Sequence, residues 1–403
     1  MENIKKIALA YSGGLDTSII IPWLKENFNN PEIVAVCVDV GQGEETENLE
    51  ERAIKSGAKK FYLVDKKKEF VEDYIFPMAM CGALYENKYM LGTSIARPLQ
   101  AKAQVEIALK EKCDALAHGC TGKGNDQVRF ELTYKALAPH LKVIAPWRLW
   151  DIKSREDAIA YAKKKNIDLG QINEKKIYSR DRNIWHISHE GGELEDLSNR
   201  PNEEMFVLSR SPKDAPDKET EITIDFEKGI PVALNNKKMD GVSLLLELNR
   251  IGGENGIGRA DIVENRLVGM KSHGVYETPG GTILYAALQE LRMLTLEKDS
   301  LKMINNISPL YAEMIYNGKY FTHLRKSLEI FIRELMKYCT GSIKLVLYKG
   351  NIIVAGRKSE YSLYDADIAS FTTGENYSHK DSQGFINLFG LQVGIEAKVH
   401  SKK

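Results

Sequence analysis

Residues 10–18 read AYSGGLDTS and stand between an apolar run, Ile7 to Tyr11, and a helical pattern that opens near Leu15. A strand that passes through two glycines straight into a helix must bare backbone N–H groups at the helix N-terminus, where they meet an anion. The stretch therefore predicts a phosphate cradle. Gly13 and Gly14 allow close approach and positive φ, while Ser12, Thr17 and Ser18 add hydroxyl donors around the same anion. An ordinary glycine turn is the plain alternative, but such a turn would not require three hydroxyls and an aspartate, Asp16.

Spacing excludes two other phosphate loops. The Gly-Lys element at Gly119 to Gly124, GCTGKG, lacks both the spacing of a P-loop and its hydroxyl residue after the lysine. Nor does Ser12 to Asp16 supply the G-x-G-x-x-G of a dinucleotide fold. SGGLDTS instead resembles the pyrophosphate loop of the ATP pyrophosphatases, which split ATP between its α and β phosphates.

Apolar runs at 5–11, 33–39 (IVAVCVD), 60–64, 114–118 and 143–146 alternate with helical patterns at 15–28, 46–56, 69–86, 99–112 and 155–165. That alternation implies right-handed crossovers and a doubly wound parallel sheet, with ligands at the carboxyl ends of the strands. Pro22 should bend the first helix, and Tyr89 to Pro98 reads as turn-rich. After the fourth strand, Gly119 to Arg129 (GCTGKGNDQVR) packs Thr121, Lys123, Asn125, Asp126 and Arg129 among three glycines. A polar loop capping the next helix is the bland reading of that stretch.

From about Ile167 the alternation stops. Paired strands are expected at 221–227 and 230–234, a helix at 242–251 ending at Gly252-Gly253, a glycine-rich polar stretch at 256–282, three helices between 282 and 337, and a hairpin around Lys349-Gly350-Asn351. This is an α+β region. Gly384 to His400 reads as one amphipathic helix with Phe385, Leu388, Ile395 and Val399 on a single face, to be buried against another subunit or its own domain. The expected division is a nucleotide domain at 1–167, a synthetase domain at 168–365 and a C-terminal arm at 366–403.

The 56 basic and 56 acidic residues cancel, which argues against a partner such as nucleic acid that needs a broad cationic surface. No apolar run approaches the ~18 residues of a membrane span, and a cytoplasmic protein without membrane contact is expected. Five cysteines without a C-x-x-C pair read as core residues. His186 and His189, with Glu190, are too few for a metal site.

Taken in order, AYSGGLDTS, YMLGTSIARP, HGCTGKGNDQVRFE, VIAPWR, WHIS, DIVENRLVGMKSHGVYETPGGT and GFINLFGL make nearly the whole chain similar to the argininosuccinate synthase family. The resemblance implies a ligase that joins citrulline to aspartate, with Mg-ATP converted to AMP and pyrophosphate through citrullyl-AMP. By the same resemblance Ala10, Tyr11, Ser12, Gly13, Gly14, Leu15, Asp16, Thr17 and Ser18 form the ATP loop, with Val38 and Gly119 beside the nucleotide. Val38 stands where the family often has alanine. Tyr89, Ser94, Asn125, Arg129, Ser179, Ser188, Glu264 and Tyr276 are implied citrulline contacts, Arg129 suiting its carboxylate and Glu264 its ammonium group. Thr121, Asn125 and Asp126 are the implied aspartate contacts, and Ser12, Asp16 and Asp126 the implied catalytic residues. A homotetramer is implied too. The rivals are another ATP pyrophosphatase, for which the basic surface or paired reactive cysteines of a tRNA enzyme are absent, and a nucleotide sensor, which would need no two-amino-acid site.

Overall fold

The computed structural model describes residues 4–152, 154–165, 167, 178–370 and 377–402. Its first half is set by strand parity. In β1 (Lys6–Ala10) and β2 (Glu32–Asp39), Ile7, Leu9, Ile33, Ala35 and Cys37 enter one apolar cluster, while Ala8, Val34, Val36 and Val38 enter another. Alternate side chains leave a strand on opposite faces, so a strand buried on both reads as an unbroken apolar run. α1 (Leu15–Asn27) and α2 (Leu49–Lys55) cover the first face. β3 (Lys60–Asp65) follows, and the sheet order is β3-β2-β1-β4-β5, parallel at every step.

Two helical stretches differ from expectation through proline and glycine. One helix is expected over 69–86; the chain forms α3 (Lys67–Glu69), a π-helical turn (Phe70–Ile75) and α4 (Phe76–Cys81). Pro77 has no N–H for the Asp73 carbonyl, which accepts the Tyr320 hydroxyl instead at 3.1 Å, and Gly82 at φ 68° ends the helix. The supposedly turn-rich stretch is helical from Gly92, at the start of α5 (Gly92–Lys110), with Pro98 inside it. Near-complete burial of Ile95, Ala96, Leu99, Ala101 and Ala103 outweighs the one backbone bond that Pro98 forfeits.

β4 (Ala115–Ala117), α6 (Asp126–Leu137), β5 (Lys142–Ile144) and α7 (Arg155–Lys164) complete this half. Gln104 on α5 spans β1 and β4: its Nε2 donates to the Ala8 and Ala117 carbonyls, both at 2.9 Å, and its Oε1 accepts from the Tyr134 hydroxyl.

The expected boundary at 167–168 borders a stretch outside the described residues. Beyond it, β6 (Ile187–His189) joins a three-stranded antiparallel sheet. β7 (Thr220–Glu227), β8 (Ile230–Leu234) and β9 (Lys237–Lys238) belong to a five-stranded one. α8 (Gly241–Glu254) runs through Gly252-Gly253 instead of ending there. A Cβ on Gly253 would stand 2.1 Å from the Leu208 carbonyl oxygen, so close packing accounts for that glycine. The glycine-rich stretch becomes a hairpin, β10 (Arg259–Asn265) and β11 (Lys271–Glu277), leading into α9 (Pro279–Thr295). α10 (Lys298–Tyr316), α11 (His323–Leu335) and the hairpin of β12 (Gly341–Tyr348) and β13 (Asn351–Lys358) follow.

Residues 4–360 fall in one compact unit and Tyr361 onward in a second. The second contains α12 (Ala366–Ala369), α13 (His379–Phe389) and α14 (Leu391–His400), so the expected terminal helix is two helices meeting at Gly390. Phe385 stacks on Phe389 at 5.1 Å, and Leu388 is 74% exposed and Phe389 78%.

Candidate functional site

The strand order reverses between β1 and β4, and the loops leaving those two strands flank the crevice where open parallel sheets take ligands. After β1, the Tyr11 amide still donates to the Val36 carbonyl at 2.9 Å, and Gly13 then turns at φ 72°. A Cβ on Gly13 would lie 2.1 Å from Leu49, so both the backbone and the space demand glycine. Gly14 precedes the first turn of α1, whose leading amides lack a side-chain cap. Ser12 Oγ lies 3.3 Å from Thr17 Oγ1, and Ser18 Oγ lies 3.2 Å from the Tyr11 hydroxyl, so the hydroxyls gather around the turn.

Ala10, Tyr11, Ser12, Thr17, Val38 and Gly119 line a cleft of about 310 Å³. Gly13, Gly14, Leu15, Asp16 and Ser18 belong to the turn and the start of α1, not to that lining. Arg97, Cys120 and His118 also face the cleft; burial pushes the Cys120 thiol well above its ordinary range, so it stays an unreactive wall residue.

A second cleft, of about 210 Å³, brings together Tyr89, Thr121, Asn125, Asp126, Arg129, Ser179, Ser188, Glu264 and Tyr276. These come from the Tyr85–Tyr89 turn, α6, the loop before it, the Ser179–Glu190 pairing, and the β10–β11 hairpin. Ser94 is the exception: it is fully buried in the first turn of α5 and outside the lining, its Oγ near the Tyr89 hydroxyl and without a well-formed hydrogen bond among the described residues. Thr121, Gly124, Asp126 and Asp181 line both clefts, so the two meet there.

Charge is paired at that junction. Asp126 accepts from Arg97 Nε at 2.7 Å and Arg129 Nη1 at 2.8 Å, and Arg97 Nη2 reaches Asp181 at 2.7 Å. Burial alone would raise the Asp126 carboxyl's affinity for a proton, but the two guanidiniums win and hold it below the ordinary carboxylate range. Arg129 also donates to the Tyr316 carbonyl at 2.9 Å and lies 4.9 Å over its ring. Tyr276 donates to Glu264 Oε1 at 2.6 Å, whereas Glu264 Oε2 is buried beside Tyr316 without a well-formed hydrogen bond among the described residues.

Thr93, Asp181, Glu190, Arg266 and Tyr316 also line this cleft and are additions to the expected set. Burial pushes the Glu190 carboxyl up to about 7, although Arg266 stands 2.7 Å away. Three of the additions carried a signal: Asp181, Glu190 and Arg266 each lie two residues beyond an expected contact, Ser179, Ser188 and Glu264, at the spacing that puts side chains on one face of a strand. Tyr316 had none, since a turn of chain far from any motif brings it in. His186 and His189 go to separate partners, Thr93 at 3.1 Å and Glu277 at 2.9 Å.

Two family models match the chain: "Arginosuccinate synthase N-terminal HUP domain" over residues 6–168 and "Arginosuccinate synthase C-terminal domain" over residues 178–396. The argininosuccinate synthase of Acetivibrio thermocellus is 57% identical over 403 residues, covering 100% of this chain and 99% of that protein. That of Clostridium botulinum (strain Eklund 17B / Type B) is 58% identical over 401 residues, covering 99% and 98%. That of Roseiflexus sp. (strain RS-1) is 56% identical over 400 residues, again covering 99% and 98%.

Proposed function

The chain belongs to the argininosuccinate synthase family, and from that premise we propose that its two joined clefts hold ATP on one side and citrulline with aspartate on the other. It is a ligase that condenses citrulline and aspartate to argininosuccinate at the expense of ATP, in arginine biosynthesis. The similarity runs the length of both chains, which disfavours another ATP pyrophosphatase or a sensor.

The Ser12–Ser18 turn receives the β and γ phosphates of Mg-ATP, the magnesium arriving with the substrate. Val38 and Gly119 flank the nucleoside. The citrulline ureido oxygen attacks the α-phosphorus and pyrophosphate leaves, its charge stabilised by the backbone amides of the turn and by the Ser12 and Thr17 hydroxyls. Arg129 serves the citrulline carboxylate and Glu264 its ammonium group. Thr121, Asn125 and Asp126 then receive aspartate, whose amine attacks the activated ureido carbon and expels AMP. Two guanidiniums stabilise Asp126 as an anion, which suits it to pair with the aspartate ammonium and makes it a weak proton acceptor. In this reading the departing phosphate takes the proton. Ser94, near the Tyr89 hydroxyl, supports the Tyr89 contact from outside the lining.

Glu264 Oε2, buried without a well-formed hydrogen bond among the described residues in a cleft that opens into the nucleotide cleft, is the observation that carries this assignment. We further read the chain as a cytoplasmic homotetramer with a nucleotide domain, a synthetase domain and a C-terminal arm. Pyrophosphate release from Mg-ATP, measured with citrulline or aspartate omitted in turn, tests the chemistry. Release should require citrulline, and AMP should additionally require aspartate; pyrophosphate formed without citrulline would refute the assignment.

A further inference from the structure

The β10–β11 hairpin contributes Glu264 to the amino-acid cleft, and its tip does something separate. Arg266 and Leu267 open the turn, which closes through the Gly269 amide donating to the Arg266 carbonyl at 3.0 Å. Arg266 Nη2 donates to Glu190 at 2.7 Å, and its Nη1 donates to the Lys123 carbonyl at 3.2 Å. The Leu267 amide donates to Asn125 Oδ1 at 2.9 Å. One tight turn thus grips the 121–125 loop at two points and the Glu190 side of the cleft at a third.

The gripped loop needs outside support. Gln127 Nε2 donates to the Gly122 and Gly124 carbonyls at 2.7 and 3.2 Å, but Thr121, Gly122 and Lys123 are exposed and a Cβ on Gly122 would meet nothing within 4 Å, so side-chain packing adds little there. Asn125 has a further constraint: because its Oδ1 accepts from Leu267, the amide is oriented with its donor end left for a ligand carboxylate. Glu190 and Glu264 line the part of the cleft remote from the nucleotide, whereas Thr121 and Gly124 also border the nucleotide cleft. The tip therefore links the ammonium-binding side of the cleft to the loop that meets the second amino acid.

We propose that Arg266 and the Leu267 amide are positioning residues that hold the 121–125 loop in its aspartate-binding arrangement, so that the second half-reaction depends on them more than the first. The proposal rests on the assignment of the two clefts given above. Its chemistry is that of a clamp: a guanidinium fork reaches a carboxylate and a carbonyl at once, which a lysine ammonium cannot do with the same fixed geometry.

Two variants of the full chain test it. Leu267 is the second residue of the turn, where proline is favoured, and Arg266 before it follows directly on β10, its amide donating to the Met270 carbonyl at 2.8 Å. Leu267→Pro therefore deletes the donor to Asn125 while keeping the turn. Arg266→Lys keeps the charge opposite Glu190 and loses the fork. Two quantities are read: citrulline-dependent exchange of labelled pyrophosphate into ATP without aspartate, and the steady-state KM for aspartate. Each variant should raise the aspartate KM about three- to tenfold, the worth of one hydrogen bond, by a larger factor than it lowers exchange, with the thermal midpoint close to wild type. An unchanged aspartate KM, or equal losses in exchange and in aspartate KM, would overturn the proposal. Absence of exchange in the wild-type protein would instead count against the cleft assignment itself.

Discussion

Glu264 gives one oxygen to the Tyr276 hydroxyl and leaves the other, beside the Tyr316 hydroxyl, without a well-formed hydrogen bond among the described residues, which suits it to receive a cationic donor. Glu264→Gln preserves the size and the bond to Tyr276 but removes the charge. A hydrogen bond to a charged group is worth about 1.5–3 kcal/mol, so the citrulline KM should rise about 10- to 150-fold while the ATP KM stays near wild type. Equal losses for both substrates would mean that Glu264 serves the fold instead of citrulline. At this scale the sequence was informative where chemistry repeats every second residue. Ser179, Ser188 and Glu264 could be named, and period-two backbone then points to Asp181, Glu190 and Arg266. Tyr316 could not be found this way, because Gly318 at φ 72° sets the end of its helix against the Arg129 backbone, a contact between residues almost two hundred positions apart.

Among the elements, α5 shows how a helix start is built around a ring. A Cβ on Gly92 would stand 2.1–2.4 Å from three atoms of the His186 imidazole, whose Nε2 meets Thr93 Oγ1 at 3.1 Å. Gly92→Ala should therefore destabilise by about 1–3 kcal/mol, the usual cost of overpacking, visible as a lower urea midpoint; an unchanged midpoint would show that the ring moves aside freely. The same burial, with Arg97 and His189 nearby, lowers the His186 pKa to about 3. Between about 6.5, the unfolded value, and about 3, the unfolded chain binds the extra proton. Stability is thus retained above that window and lost as pH falls through it. His186→Gln should flatten this part of the melting-temperature profile, and an identical slope would discard the explanation. The parallel strands were legible because both faces are buried and the apolar runs unbroken. Helix boundaries around Pro77 and Pro98 were not: the prolines were plain, but whether each broke its helix depended on Tyr320 and on the burial of α5.

For the whole molecule, the antiparallel sheet of the second half lay beyond sequence reading, since β12 pairs with β7, Gly341 opposite Phe226, across more than a hundred intervening residues. The terminal arm was legible as amphipathic but not as two helices. Its Phe385, Leu388, Phe389, Ile395 and Val399 are all exposed, and apolar surface of that kind marks an association site. Leu388→Asp with Phe389→Asp should convert the proposed tetramer to smaller species in sedimentation equilibrium, with the far-ultraviolet circular dichroism retained. An unaltered mass would place the subunit contacts elsewhere. Gln104 has a different reach. Its single amide pins the carbonyls of Ala8 and Ala117, and the loops that leave those strands carry the phosphate turn on one side and Thr121 and Asn125 on the other. The gauge across which an adenylate must be handed to an amine is thus cut by the ~4.8 Å spacing of neighbouring strands, a ruler ruled into the backbone before any substrate arrives.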